Sequence, residues 1–135
     1  MTLHLAPSKQ SPWPYGDPTI HVRRLDSDAV AVLLSGEIDI ACANRVREAL
    51  GRIASVTRDT VVDLSAATFL DATGLGLLCH ARNAARAHAG RLATVCPAGQ
   101  PLRVLRTADM ARTLLVRPTL AEALAAIRGL PGLAA

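Results

Sequence analysis

The sequence predicts an α/β protein: a single mixed β-sheet of about four to five strands with about four helices packed on it. Two observations carry this reading. Short apolar runs alternate with segments of helical period in the order β-β-α-β-α-β-α-α, which calls for parallel β-α-β crossovers plus one hairpin. The chain also has 135 residues, half of them apolar, enough for one domain with a buried core. Only 2% are aromatic, so that core must be built from Leu, Val, Ile and Ala.

The elements follow in order. Residues 1–18 are expected to form an arm outside the domain. Within them, "PSKQSPWPYGDP" (7–18) holds four prolines and the only Trp and Tyr, Trp13 and Tyr15, and should contain no regular element. The domain is expected over 19–128. "TIHVRRL" (19–25) alternates Ile20 and Val22 as an edge strand does, and "AVAVLLSG" (29–36) is a more buried strand ending at Gly36. "EIDIACANRVREALGRI" (37–53) places Ile40, Val46, Ala49, Leu50 and Ile53 at helical spacing. "DTVVDLS" (59–65) and "LATVCP" (92–97) are short interior strands, and Phe69 and Leu70 suit the end of another buried run. Between them "GLGLLCHARNAARAHAG" (74–90) is a helix, with Gly90 as its stop. "QPLRVLRTADM" (100–110) and "PTLAEALAAIRG" (118–129) are the last two helices; Pro118 and Thr119 start the second, and Gly129 ends it. Residues 129–135 form a tail.

Composition limits the function classes. The net charge is +4, and of the 15 basic residues only Lys9 is lysine. The arginines are spread from Arg23 to Arg128 without a run, weak support for a nucleic-acid face. Cys42, Cys79 and Cys96 lack CxxC spacing and read as free thiols of a reducing compartment. With no signal pattern and no apolar run of bilayer length, a cytoplasmic location is expected. His80 beside Cys79 is no ligand pair, because adjacent helical residues point about 100° apart. No HExxH, P-loop or GxSxG occurs. No metal, cofactor or catalytic turnover is expected.

The stretch "FLDATGLGLL" (69–78) is the most informative. It places the hydroxyl of Thr73 at the mouth of a helix, between Asp71 and two glycines. Asp71 or Thr73 caps the helix, and Gly74 and Gly76 let backbone approach closely. On this helix Leu77, Leu78, Ala81, Ala84 and Ala85 share one side, to be buried. Arg82, Asn83 and Arg86 share the other, to be exposed. Leu75 and Cys79 fall on the arginine side, so the stripe from Leu75 through Cys79 and Arg82 to Arg86 is a candidate docking face, unless a loop covers Leu75. Glu37 and Asp39 stand just past a core strand, where α/β loops carry function; Asp39 serves that site, caps the next helix, or both.

"SGEIDIACANRVREAL" followed by "VVDLSAATFLDATGLGLL" resembles the STAS domain, the fold of bacterial anti-sigma factor antagonists. The match runs over about residues 19–128. The family pattern has a strand ending in G-E-[LI]-D, a helix, a D-[LF]-S strand, then D-[ST]-[ST]-G at the head of the next helix. The resemblance implies a partner switch: an anti-sigma factor with protein kinase activity binds the unphosphorylated antagonist and phosphorylates the hydroxyl residue before the glycine, which releases it. That acceptor is Thr73. The resemblance adds Asp71, Glu37 and Asp39 beside that acceptor; with the motif neighbours and the docking stripe, the expected partner-binding set is Glu37, Asp39, Asp71, Ala72, Thr73, Gly74, Leu75, Cys79 and Arg82. Two positions depart from the pattern: Ala72 removes a neighbouring hydroxyl, and the acceptor is Thr rather than the commoner Ser. The alternative is an accessory subunit of a lipid-transport ATPase or a signalling scaffold, in which Thr73 is never phosphorylated.

Overall fold

The computed structural model describes residues 11–12 and 19–129. Along the chain run β1 (Ser11–Pro12), β2 (Ile20–Arg24), β3 (Ala29–Leu34), β4 (Gly36–Ile38), α1 (Ala43–Val56), β5 (Asp59–Asp63) and β6 (Ala67–Leu70). Then come α2 (Ala72–Ala87), β7 (Arg91–Val95), α3 (Gln100–Thr107), β8 (Val116–Arg117) and α4 (Leu120–Arg128). The main sheet has the order β1-β2-β3-β5-β7-β8. β2 and β3 form the expected antiparallel hairpin, and β3, β5, β7 and β8 lie parallel.

Alternation along the strands sorts the core into two layers. Val62 and Leu92 face α1 and α2, where they meet Leu50, Ile53, Leu78, Ala81 and Ala85. Val61, Ala93 and Val95 face the other way, onto Ala123 and Ile127 of α4. The mixed sheet, the four helices and the buried face of α2 are as expected. So is the frame of α4: Thr119 Oγ1 accepts the Glu122 N–H at 3.2 Å, and Gly129 closes the helix at φ +65°. Arg128 then ties the end of α4 to Asp26 at 2.7 Å and to the buried Asp59 at 3.4 Å.

The departures lie at the ends of elements. Ser11–Pro12, expected to be irregular, pairs antiparallel with His21 and Val22, which covers part of the open edge of β2. The rest of the arm, Trp13 and Tyr15 included, lies outside the described residues, as do residues 130–135. The helix expected from Glu37 begins only at Ala43, because Gly36–Ile38 pairs as a strand with β6 in a separate parallel two-stranded sheet. Ile40 is therefore not a core residue but 80% exposed. Phe69, expected to be buried, is 40% exposed. α2 begins two residues earlier than expected. At its other end Ala89, not Gly90, takes the left-handed conformation, at φ 60°. Gly90 is needed for space: a Cβ there would stand 2.9 Å from the Thr57 carbonyl oxygen. α3 is shorter than expected, ending at Thr107.

α1 and α2 meet where His80 lies over Gly51; a Cβ on Gly51 would stand 3.0 Å from His80 Nε2. Burial holds the imidazole below its ordinary value of 6.5, and the Arg47 charge adds to this. The folded state therefore prefers neutral His80. Its contribution is fully present above pH 6.5 and is lost as the pH falls through the lower folded-state value. The melting temperature should fall as the pH drops below the ordinary value of 6.5, and His80→Gln should make that fall shallower. Equal slopes in the two proteins would remove His80 from the pH response.

Candidate functional site

β4 and β6 continue β3 and β5 past the carboxyl edge of the main sheet, the edge where open α/β sheets place their sites. Gly36 makes the first bend at φ +81°, a left-handed conformation that favours glycine, and its N–H bonds the Ala66 carbonyl at 3.0 Å. The two short strands then pair in parallel, Glu37 against Phe69 and Ile38 against Leu70. The buried Cys42 thiol donates to the Asp39 carbonyl at 3.4 Å and lies 3.7 Å from the Glu37 carbonyl, which holds the loop over the start of α1.

α2 starts against this small sheet. A Cβ on Gly74 would stand 2.7 Å from the Ile38 carbonyl oxygen and would overlap Leu70 Cδ1. Only glycine lets the helix come this close. The other strand edge of β6 is closed by a side chain: Gln100 Oε1 accepts the Leu70 N–H at 2.9 Å, and Gln100 Nε2 donates to the Leu70 carbonyl at 2.8 Å. One amide thus stands in for a neighbouring strand at the residue before Asp71.

The choice of cap is resolved. Asp71 has extended backbone and accepts the Gly74 N–H at 3.1 Å, so it is the N-cap. Thr73 is the second residue of the helix, half-buried, and its hydroxyl makes no hydrogen bond to any described residue. The first-turn N–H groups of Ala72 and Thr73 have no partner within a helix. A hydroxyl is thus held among free donors at the positive end of the helix dipole.

The other expected residues divide. Glu37 and Ala72 are exposed and Gly74 is buried, all at this end of the molecule. Asp39 does not cap α1. Its Oδ1 accepts the Ala41 N–H at 3.0 Å in a local turn, while Cys42 occupies the cap position without a side-chain bond. Leu75 is half-buried, packed against the main core, and Cys79, half-buried, follows one turn on. Gly76 has nothing within 4 Å of a Cβ, so no close approach inside the chain explains it. Arg86 is exposed as expected, whereas Arg82 is half-buried; nine residues beyond Thr73, Arg82 lies about 13 Å along the helix, in a separate cleft.

Three residues here are not marked by local sequence pattern. Ile40 has helical spacing, and nothing local signals that the strand pairing of Gly36–Ile38 leaves it on an exposed turn. Phe69 is the partner of Glu37 across the small sheet and shares its exposure. Gln100 bonds across 30 residues and gives no local signal. Ile40 and Phe69 put two exposed apolar side chains at the small-sheet end of the molecule, where α2 begins.

A family model for the STAS domain matches residues 20–123. The chain belongs to the STAS domain family. No curated protein matches the sequence. Among solved structures, an anti-sigma factor antagonist from Mycobacterium paratuberculosis is 28% identical, covers 93% of this chain and 99% of its own, and superposes with a TM-score of 0.73. The antagonist SpoIIAA in its unphosphorylated form is 20% identical over 82% of this chain and 97% of its own, TM-score 0.64. A sulfate transporter family protein from Wolinella succinogenes is 16% identical over 80% and 91%, TM-score 0.66. The last two establish the fold alone. Among the described residues no helix is long and apolar enough to cross a membrane, and no group of three or more His, Cys, Asp or Glu is placed to hold a metal ion.

The Gln100 bonds yield a test. Gln100→Glu keeps the acceptor for the Leu70 N–H but loses the donor and sets a carboxylate against the Leu70 carbonyl. It should destabilise the domain by about 2 kcal/mol, more than the loss of one neutral hydrogen bond, in urea unfolding at pH 7. A midpoint unchanged from wild type would show that Gln100 does not hold the strand.

Proposed function

We propose that this protein is an anti-sigma factor antagonist that binds an anti-sigma factor with protein kinase activity and is released by phosphorylation at Thr73. The observation that carries the reading is the Thr73 hydroxyl itself: unbonded, in the first turn of a helix whose cap is already supplied by Asp71. The similarity to the Mycobacterium paratuberculosis antagonist at 28% identity supports the same class of partner.

A phosphate on Thr73 would meet first-turn N–H groups and the positive dipole end, so the fold tolerates it. A partner shaped to a neutral hydroxyl between Asp71 and Leu75 would meet about two added negative charges instead. A loss of about 2.7 kcal/mol there weakens binding about a hundredfold, enough to move a partner between complexes. Ala72 leaves Thr73 as the sole hydroxyl of the turn. The branched Cβ of threonine restricts its rotamers, so the kinase that serves this protein must accept threonine. The accessory-subunit alternative has only fold-level likeness to a transporter-associated protein and no further observation in its favour.

The experiment is calorimetric binding to the ATP-binding anti-sigma partner, with thermal melts alongside. Because Asp71 is the cap, Thr73→Ala should melt close to wild type, avoiding the cost of about 1 kcal/mol typical of a lost cap. It should bind whether or not the partner has been given ATP. Thr73→Glu should fold and bind more weakly, by a partial amount because it carries a single charge. If the folded Thr73→Glu protein binds as tightly as Thr73→Ala, charge at this position is not the switch and the accessory-subunit reading moves ahead.

A further inference from the structure

The strand that leads into Thr73 has a neighbouring strand on one edge only. Among the described residues, β6 pairs with β4 alone, in a sheet of two strands. The chain that leaves β7 does not extend beside it. Cys96 N–H bonds the Arg117 carbonyl at 2.8 Å, and Pro97 follows, with no N–H to give to a strand. The second edge of β6 meets the first residue of α3 instead. Gln100 holds the Leu70 N–H at 2.9 Å and the Leu70 carbonyl at 2.8 Å. That carbonyl belongs to the peptide unit that joins Leu70 to Asp71. The unit is planar, so the amide of Gln100 fixes the direction in which Asp71 leaves the strand.

Gln100 is itself held in place. Gly99 before it has φ +150°, a conformation that favours glycine, and its carbonyl accepts the Arg103 N–H at 3.1 Å. Pro101 and Leu105, next along α3, are buried. The amide thus reaches β6 from an anchored helix start. On the other side of the held peptide, the Asp71 carboxylate accepts the Gly74 N–H at 3.1 Å. A rotation of the Leu70–Asp71 peptide would carry that carboxylate off its donor and move the turn that contains Thr73.

We propose that Gln100 is a positioning residue for the phosphoacceptor: by fixing the Leu70–Asp71 peptide it sets where Thr73 Oγ1 stands for an incoming phosphoryl group. The proposal rests on the partner-switch reading and adds to it a residue from outside the motif. Threonine makes the requirement stricter than serine would. Its branched Cβ restricts the rotamers and Thr73 is half-buried, so the backbone decides where the hydroxyl points. Transfer forms a bond from Thr73 Oγ1 to the γ-phosphorus of ATP and breaks the bond from that phosphorus to the β,γ-bridging oxygen. ADP leaves, and the hydroxyl proton passes to a base of the kinase. Attacking and leaving oxygens must lie roughly in line, and a misplacement of about 1 Å can cost about a hundredfold. Partner affinity is spread over an interface of many residues and is less sensitive to such a shift.

The test is Gln100→Met in the whole chain, which keeps the reach of the side chain and removes both bonds. Ile127→Ala, at a buried position of α4 in the other core layer, is the control for lost stability. All proteins are compared at a temperature where thermal melts show them folded. Hydrogen exchange at the Gly74 amide, read against the amides of β5 and β7, reports the turn without any partner. Gln100→Met should speed it at least about tenfold relative to those strands, and Ile127→Ala should not. Phosphate transfer from labelled ATP by the ATP-binding anti-sigma partner reports the function. Gln100→Met should lower the maximal rate at least about tenfold with KM and the calorimetric Kd within about threefold of wild type, and Ile127→Ala should match wild type. Gln100→Glu, which frees the Leu70 carbonyl alone, is read in the same way where Gln100→Met does not fold. A Gly74 amide or a maximal rate unchanged in the folded Gln100 variant, or an equal slowing in Ile127→Ala, would overturn the proposal. No label on wild-type Thr73, with a Gly74 amide that responds to Gln100→Met, would overturn the partner-switch reading instead, because the turn is then set by Gln100 but serves no transfer.

Discussion

The first turn of α2 rests almost on the Ile38 carbonyl oxygen, at a distance that only a glycine at position 74 allows. This contact fixes where Thr73 stands, because it joins the helix to the strand pair beyond the main sheet. Each component of that pair has a physical cause. Gly36 turns the chain out of β3, Cys42 holds the following loop, and the Gln100 amide closes the far edge of β6 at Leu70. With both neighbours of Leu70 fixed, Asp71 begins the helix in one geometry. The second helical residue then presents its hydroxyl at the surface of a rigid frame rather than on a loop.

Rigidity and sensitivity to charge are compatible here because they rest on different groups. The core beneath the site is aliphatic: Ile38, Leu70, Leu77 and Leu78 are all buried. Its packing therefore involves no charged side chain. The cap bond belongs to Asp71, so modification of Thr73 would remove no hydrogen bond that the fold needs. An added phosphate would enter the field of the helix terminus, which favours it. Only a surface placed against the site would be penalised. The apolar side chains available to meet such a surface, Ile40 and Phe69, are exposed on the loop after β4 and on β6.

Much of this was legible from residue patterns. The hairpin, the parallel strands, the buried side of α2 and the start and stop of α4 follow from local periodicity and capping chemistry, which act over a few residues. The family resemblance correctly placed the motif around Thr73 at the head of α2. The failures occur where a long-range contact overrides a local preference. Helical spacing drew Ile40 into α1, but pairing of Gly36–Ile38 with residues 67–70 claimed the segment as strand. Asp39 has the chemistry of an N-cap, yet a local turn to Ala41 consumes its carboxylate before the helix begins. Gln100 closes its pair of bonds across 30 residues, a distance that no window of sequence spans. Arg82 was read from α2 alone. Its neighbours Arg91 and Arg112 come from elsewhere in the chain, so the cleft exists only in three dimensions.

In the proposed switch, Thr73 is presented to a kinase that is also the binding partner. Incubation of the protein with the paired ATP-binding anti-sigma factor and labelled ATP, followed by peptide mapping, tests it directly. The account predicts one phosphate per chain, on Thr73, with no label entering Thr73→Ala and with the labelled protein still melting cooperatively. Label on another residue, or a chain that binds the kinase and remains unlabelled, would contradict it.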